Sequence, residues 1–513
     1  MSNGASKAKL RAFVVGVGQV RNRPGLDTPS ADDWRPDEPA RLMATALARA
    51  AADAGRAQLL AEADFIGCIP PMAWSYDDLP GRVAELAGAR PQHKLEPPGG
   101  GEGPILLLDD VANRIADGEI EIALLAGAEA VYSRRRARAE NKALDWTPGG
   151  DGFPRFMKGM KPFANALELR HGVRQPVDMY PVYENALRAR AGRTIDAHQR
   201  HVAALMARYS EVAARNPFSW FPEPRTADEI RTVSPKNRWI GFPYPKLMNA
   251  LMEVDQSAAA IVMSEAAADR LGIAHEKRVA FLGGASANDG WSAAERVDLA
   301  SSPAYAAATR AALTHSGVTV SDVELFDLYS CFPCAVEFAL DALGLRADDP
   351  RSPTQTGGLA HHGGPGNDYA MHGLANLVQN LRAGRGRVGW VSGLGMSATK
   401  HAVAVLSTDA RRVAASDGRA TRVSLPPESF EGPPLVDAPA GPGRIESYTV
   451  TFDRDNKPEK AVLYLRLPDG RRSLAHGAPS EALFRQLLEV EGVGLRGTVS
   501  PGAGEAPNVF EPS

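Results

Sequence analysis

Residues 64–72, DFIGCIPPM, and residues 327–335, DLYSCFPCA, place Asp, Cys and Pro at the same relative positions: Asp64, Cys68 and Pro70 in the first, Asp327, Cys331 and Pro333 in the second. Upstream of each lies an Ala-rich amphipathic stretch of similar length, from Pro39 to Gly55 and from Pro303 to Gly317. The match therefore covers a helix, a turn and a strand. Two copies of one supersecondary unit constrain a fold more tightly than local propensity does, and the sequence reads as a duplicated α/β protein.

Working outward, AFVVGVGQV from Ala12 is a short apolar run of the buried-strand type, and VAFLGGASA from Val279 opens a second half in the same way. Between them, strand patterns alternate with helical patterns through IEIALLAGAEAV, as parallel βαβ units do. Residues 133–250 break the rhythm. RRRARAE, WTPGGDGFP and NPFSWFPEPRT are rich in charge, proline and aromatics and read as an inserted, mostly helical cap. LMNALMEVDQSAAAIVMSEAAADRLGI then restores strand and helix. The expected organisation is 1–132 with 251–271 as the first half, 133–250 as the cap, and 272–412 as the second half. A Pro-rich linker over 413–443 and a small separate β domain over 444–513 complete it. In the last unit, apolar and polar residues alternate around DNKP and PDG turns, an antiparallel signature. The final residues, PGAGEAPNVFEPS, are expected to hang loose.

Lys and Arg number 58 against 61 Asp and Glu, a formal net charge of −3. That balance offers no field to attract nucleic acid or an anionic membrane. Three cysteines make a disulfide framework improbable and point to a reducing compartment. The first residues carry no apolar segment of signal-peptide length, and no run approaches the ~20 apolar residues of a membrane span. A cytoplasmic protein is expected.

Three regions gather glycine, histidine and small polar residues at strand ends, where open α/β sheets place their sites. EPPGGGEGPILLL, 96–108, turns into an apolar helix whose first amides could bind an anion or oxyanion. LYSCFPCA sets Tyr329, Ser330 and Cys331 at a strand end, although a buried Cys is ordinarily a small hydrophobe. GGLAHHGGPGNDYAMHG, 357–373, and GLGMSATKHA, 393–402, hold His361, His362, His372 and His401. Their spacing matches no helical zinc pair, so no metal is expected. G-x-S-x-G is absent and GVGQVR departs from the dinucleotide fingerprint, which argues against serine hydrolysis and nucleotide redox chemistry.

The duplicated halves, the cap, IADGEIEIALLAGAEAVYS, VELFDLYSCF, GGLAHHGGP and the final GLGMS together resemble the thiolase superfamily over roughly residues 10–410, nearest to the sterol-carrier-protein type. The extra C-terminal β unit is similar to the OB-like additional domain of bacterial thiolase-like proteins. The resemblance implies a duplicated five-layer αβαβα core, an acyl-CoA ligand with CoA as substrate rather than cofactor, and a place among lipid-metabolising acyltransferases. It also implies what is missing. The nucleophilic Cys of those enzymes falls on Gly101, the activating His on Gly364, the second Cys on Val391, and the strand-end Asn or His on Tyr329. A Claisen condensation requires a nucleophile, an oxyanion hole and a proton shuttle in one place, so ordinary thiolase activity is not expected.

Two readings follow. In one, the protein performs non-covalent C–C chemistry such as retro-aldol cleavage of a 3-hydroxyacyl-CoA. Steroid side-chain retro-aldolases of the superfamily, which work with a separate OB-fold partner, also carry Tyr at the position of Tyr329. Tyr369, His362 and His372 are then candidate acid–base groups, the histidines suited by an unperturbed pKa near 6.5. In the other, the chain is a non-catalytic acyl-CoA or lipid-binding module acting through its C-terminal domain. Gly101 and Gly364 mark the cleft in both. Arg225, Lys246 and Trp239 in the cap are candidates for the phosphates and adenine of CoA. Homodimer and monomer are both open, the latter if the tail covers the sheet edge by which thiolases associate.

Overall fold

The computed structural model describes residues 11–28, 34–149 and 161–513; parts of the expected first half and of the cap, including residues 150–160, lie outside them. In chain order the strands are β1 (Ala12–Arg21), β2 (Phe65–Ile69), β3 (His93–Leu95), β4 (Ile122–Ala130), β5 (Trp239–Gly241), β6 (Tyr244–Pro245), β7 (Asp255–Ser264), β8 (Val279–Asn288), β9 (Leu325–Asp327), β10 (Val388–Gly395), β11 (Lys400–Ser407), β12 (Arg419–Val423), β13 (Gly441–Phe452), β14 (Pro458–Arg466), β15 (Arg472–Gly477), β16 (Arg496–Ser500) and β17 (Val509–Pro512).

The duplication is visible in the pairing. One ten-stranded sheet runs β3-β2-β4-β7-β1-β8-β11-β10-β9, with β12 added to β8. Each half repeats one pattern. The second strand pairs parallel with the next core strand, β2 with β4 and β9 with β10. That strand pairs antiparallel with its successor, β4 with β7 and β10 with β11. The successor closes antiparallel on the first strand of its half, β7 on β1 and β11 on β8. The stretches 64–72 and 327–335 thus hold the same place, the second strand of each half and the loop that leaves it. The halves meet where Phe13 and Val14 pair with Ala280 and Val279.

Strands buried on both faces are near-continuous in apolar residues, and β1, β4, β7, β8, β10 and β11 are buried almost throughout. The helices Gly103–Asp117 and Tyr369–Arg382 touch strands of both halves and form the middle of the five layers, while Pro39–Asp53 and Pro303–Ser316 cover the outer faces. The middle helices are correspondingly apolar, with Tyr369 to Val378 wholly buried. The helix Gly103–Asp117 begins with Pro at N1/N2, where its missing N–H costs nothing, and ends on left-handed Gly118.

Strands β13, β14, β15, β17 and β16 close on themselves through the β13–β14 pairing, a five-stranded OB-like barrel. Its turns are those the sequence advertises, with Asn456 and Gly470 at positive φ. Two expectations are corrected. The chain's end is not loose: Val509–Pro512 pairs with β16 and β15 and buries Phe510 inside the barrel. Within 413–443, Arg419–Val423 pairs parallel with Gly283–Ala287 of β8. This strand lies beside an interior strand of the sheet, whose two edges are β3 and β9. The barrel docks on the cap: Tyr464 donates to Glu168 (2.9 Å), Asn185 to the Tyr448 carbonyl (3.0 Å), and Arg188 grips Glu491 bidentately (2.6 and 2.5 Å). Arg472 reaches the carbonyls of Ala294 and Arg296 in the core. No helix among the described residues is long and apolar enough to cross a membrane.

Candidate functional site

The glycine-rich turn before the helix Gly103–Asp117 and the exit of β9 face each other. A Cβ added at Gly101 would overlap the Tyr329 hydroxyl and crowd the Leu394 carbonyl, so the space a side chain would take at 101 belongs to the phenol. Tyr329 is held from behind, its N–H donating to Ser392 Oγ at 3.1 Å. Among the described residues its hydroxyl makes no hydrogen bond. It is buried, and burial holds its pKa well above the ordinary value, so the phenol keeps its proton.

The rest of the turn is equally specific. Gly100, at φ 149°, and Gly395 make room for the Glu102 carboxylate. Glu102 is buried and ion-paired with Lys400, whose ammonium also donates to the Gly99 carbonyl at 2.9 Å. Burial raises the Glu102 pKa against the opposing pull of Lys400. The anion cradled by this turn is the protein's own. Glu102 and Lys400 were missed in the sequence; the one available signal was an acidic residue inside a run of glycines.

All four expected acid–base residues are brought together. Tyr329 and Tyr369 meet edge to face with centroids 5.6 Å apart, Tyr369 lies 6.1 Å from His362, and His362 lies 5.0 Å from His372. Their expected chemistry is corrected. Burial lowers His372 to about 3 and His362 well below the ordinary imidazole value, so both rings are neutral throughout the physiological range rather than poised near 6.5. Their nitrogens face inward, His362 Nδ1 to Ser219 Oγ (3.2 Å) and His372 Nδ1 to Gln19 Oε1 (2.8 Å). Tyr369 Oη accepts from the Gly358 N–H (2.9 Å), a structural bond. His361 and His401 do not join them: His361 lies towards Arg225, and His401 faces Ser302, Asp289 and the Ala398 carbonyl.

Gly364 sits where Ala250, Leu251 and Leu359 would be 3.5 to 3.6 Å from an added Cβ, an ordinary contact; its neighbour Gly363, at φ 119°, is the position that demands glycine. Gly364 connects to the β9 exit through Ala250, whose N–H donates to the Cys331 carbonyl. Val391 lies mid-strand opposite Asp327, and the β10 residues that abut Gly101 and Glu102 are Gly393, Leu394 and Gly395. In the cap, Trp239 pairs with Pro245, next to Lys246, in the β5–β6 hairpin. Trp239 stacks on Phe452 of the barrel (5.7 Å, 21°), Arg225 pairs with Glu223 and Glu229, and Lys246 is exposed. No thiol is activated either. Burial pushes Cys331 up to about 12 and raises Cys68 and Cys334 well above the ordinary thiol value, and none hydrogen-bonds a histidine among the described residues.

A duplicated five-layer core, with the turns at Gly101, Tyr329 and Gly364 near one another, defines a thiolase-fold protein. The profile of the thiolase-like protein type 1 additional C-terminal domain matches residues 428–503. The crystal structure of a monomeric SCP2-thiolase-like protein type 1 from Mycobacterium smegmatis is 31% identical over 98% of both chains, with a TM-score of 0.79. The chain belongs to that family, the SCP2-thiolase-like proteins of type 1. An Ltp2–ChsH2(DUF35) aldolase structure is 19% identical over 78% of this chain and 98% of its own, with a TM-score of 0.58, and shares the fold. No curated protein matches the sequence.

Proposed function

We propose that this protein takes an acyl-CoA in the thiolase-type cleft without forming an acyl-enzyme, and that the Tyr329 hydroxyl donates to the thioester oxygen during retro-aldol cleavage of a 3-hydroxyacyl-CoA. The observation that carries this is the protonated phenol, without a hydrogen bond among the described residues, standing in the place of a side chain at Gly101. Cleaving the Cα–Cβ bond leaves charge on the thioester oxygen, and a fixed donor in a dry site is worth most there. The aldolase named among the structures of the same fold supports this chemistry by analogy alone.

A second reading, a non-catalytic acyl-CoA-binding module, is favoured by the histidines: burial lowers the pKa of both imidazoles, so each is a weak base for the 3-hydroxyl proton, and His362 is bonded to Ser219, while His372 keeps Nε2 without a hydrogen-bond partner among the described residues. A panel of 3-hydroxyacyl- and 3-ketoacyl-CoAs, followed for the aldehyde or ketone and the shortened acyl-CoA, separates the two. Turnover that falls about 100-fold or more in Tyr329→Phe with KM little changed supports the first. Saturable binding with no turnover supports the second, and no binding of any acyl-CoA sinks both.

A further inference from the structure

Behind the β9 exit, one layer below Phe332, three helices bring three ligand-type side chains to a point. Glu184 on Pro176–Arg190, His198 on Ile195–Arg215 and Glu337 on Pro333–Leu343 each offer an atom within 4.8 Å of the others. Glu184 is 0%, His198 1% and Glu337 9% exposed. Glu184 Oε1 meets His198 Nε2 at 2.6 Å and Glu184 Oε2 accepts from Tyr244 at 2.6 Å. Glu337 Oε1 faces His201 Nε2 and Arg193 Nη1 at 3.2 and 3.3 Å, and Arg193 Nη1 also lies 3.3 Å from His198 Nδ1. Glu337 Oε2, buried, has no hydrogen-bond donor among the described residues.

Two buried carboxylates face a single guanidinium, since the nearby Arg188 is committed to Glu491. One negative charge is left for a proton or a cation to balance. The cluster is also reachable, because Glu337, His201 and Arg193 line a pocket of about 450 Å³ that opens between the cap helix and Pro333–Leu343. An entry path, an orphaned carboxylate oxygen and a donor set of two carboxylates and one imidazole together suit a zinc-like ion. We propose that Glu184, His198 and Glu337 bind one divalent transition-metal ion, which fastens the two long cap helices to the core. The ion takes His198 Nε2 in place of the Glu184 contact, and Arg193, whose side chain is 32% exposed, turns out into the pocket. The histidines of 357–402 take no part.

The test uses the full chain, stripped with chelator, dialysed and titrated with cobalt(II) and zinc. The expected result is one equivalent bound, a cobalt visible spectrum without thiolate charge transfer, and a rise in Tm with zinc. Glu337→Gln should weaken binding about 100-fold and abolish the Tm rise, while Arg193→Gln, at a partly exposed position, should tighten binding. A stripped wild-type chain that takes up neither metal overturns the proposal. So does a Glu337→Gln chain, folded by circular dichroism, that binds as well as wild type. Should that variant not fold, affinity unchanged or weakened in Arg193→Gln overturns it instead.

Discussion

At the scale of single residues, Gly101 and Gly364, the two glycines on which the resemblance to thiolases places reactive side chains, differ in their surroundings. A methyl group at 101 has nowhere to go without displacing Tyr329 or the Leu394 carbonyl; at 364 it meets its neighbours at ordinary distances. Gly101→Ala should therefore cost about 1–3 kcal/mol of stability through overpacking, whereas Gly364→Ala should change it by less than about 1 kcal/mol. Denaturant unfolding of the two variants checks this, and equal effects would contradict the packing described. This contrast was only half legible in the sequence. The positions of Gly101, Gly364 and Tyr329 could be read from motif order, but that the phenol of one fills the void of another is a contact across two halves of the chain. The histidines misled for a related reason. A run of Gly and His looks polar and open, and only the layers above and below it set the desolvation that strips His362 and His372 of titration near neutrality.

Among elements, the paired strands β4 and β7 carry two buried carboxyls at one end, Glu129 and Asp255. Glu129 accepts from the Met72 and Ala73 N–H groups (2.8 and 2.9 Å), and Asp255 from the backbone and hydroxyl of Ser133 (3.0 and 2.5 Å). Burial outweighs those bonds and raises both groups to about 7. A carboxyl whose pKa rises on folding adds stability that is whole below its unfolded value near 4 and fades as pH climbs through 7. Melting temperature should accordingly fall between pH 5 and pH 8, and Glu129→Gln should flatten that slope; a slope unaltered by the substitution would count against it. Element identity was well marked where apolar runs and turn residues repeat, as in β1, β8 and the β13–β14–β15 meander. It failed at Arg419–Val423, because proline-rich flanks conceal a strand whose pairing partner lies well over a hundred residues upstream. It failed again at Val509–Pro512, where barrel closure, not local pattern, makes the strand.

For the whole molecule, the barrel is fused to the cap, and through it to the rest of the chain, by buried polar contacts as well as by sequence. Ser447 donates to the Val182 carbonyl (2.5 Å), the His171 carbonyl faces His476 Nε2 (2.8 Å), and Asn508 N–H donates to His171 Nε2 (3.1 Å). Removing either body would orphan those groups at about 1–3 kcal/mol each. Calorimetry should show one cooperative endotherm for core and barrel together, and two resolved transitions would refute the coupling. The duplication was the most legible feature at this scale, since the same strand order had to be encoded twice. The docking of the tail left no trace in either segment alone.

The phenol of Tyr329 lodged over Gly101 also constrains how this chain can be redesigned. A cysteine or serine does not fit at position 101 while the tyrosine remains, and shrinking the tyrosine first leaves a void with nothing yet to fill it. The two positions are sterically coupled, so a variant given a nucleophile at 101 must pass through a weakened intermediate or change both residues in one step.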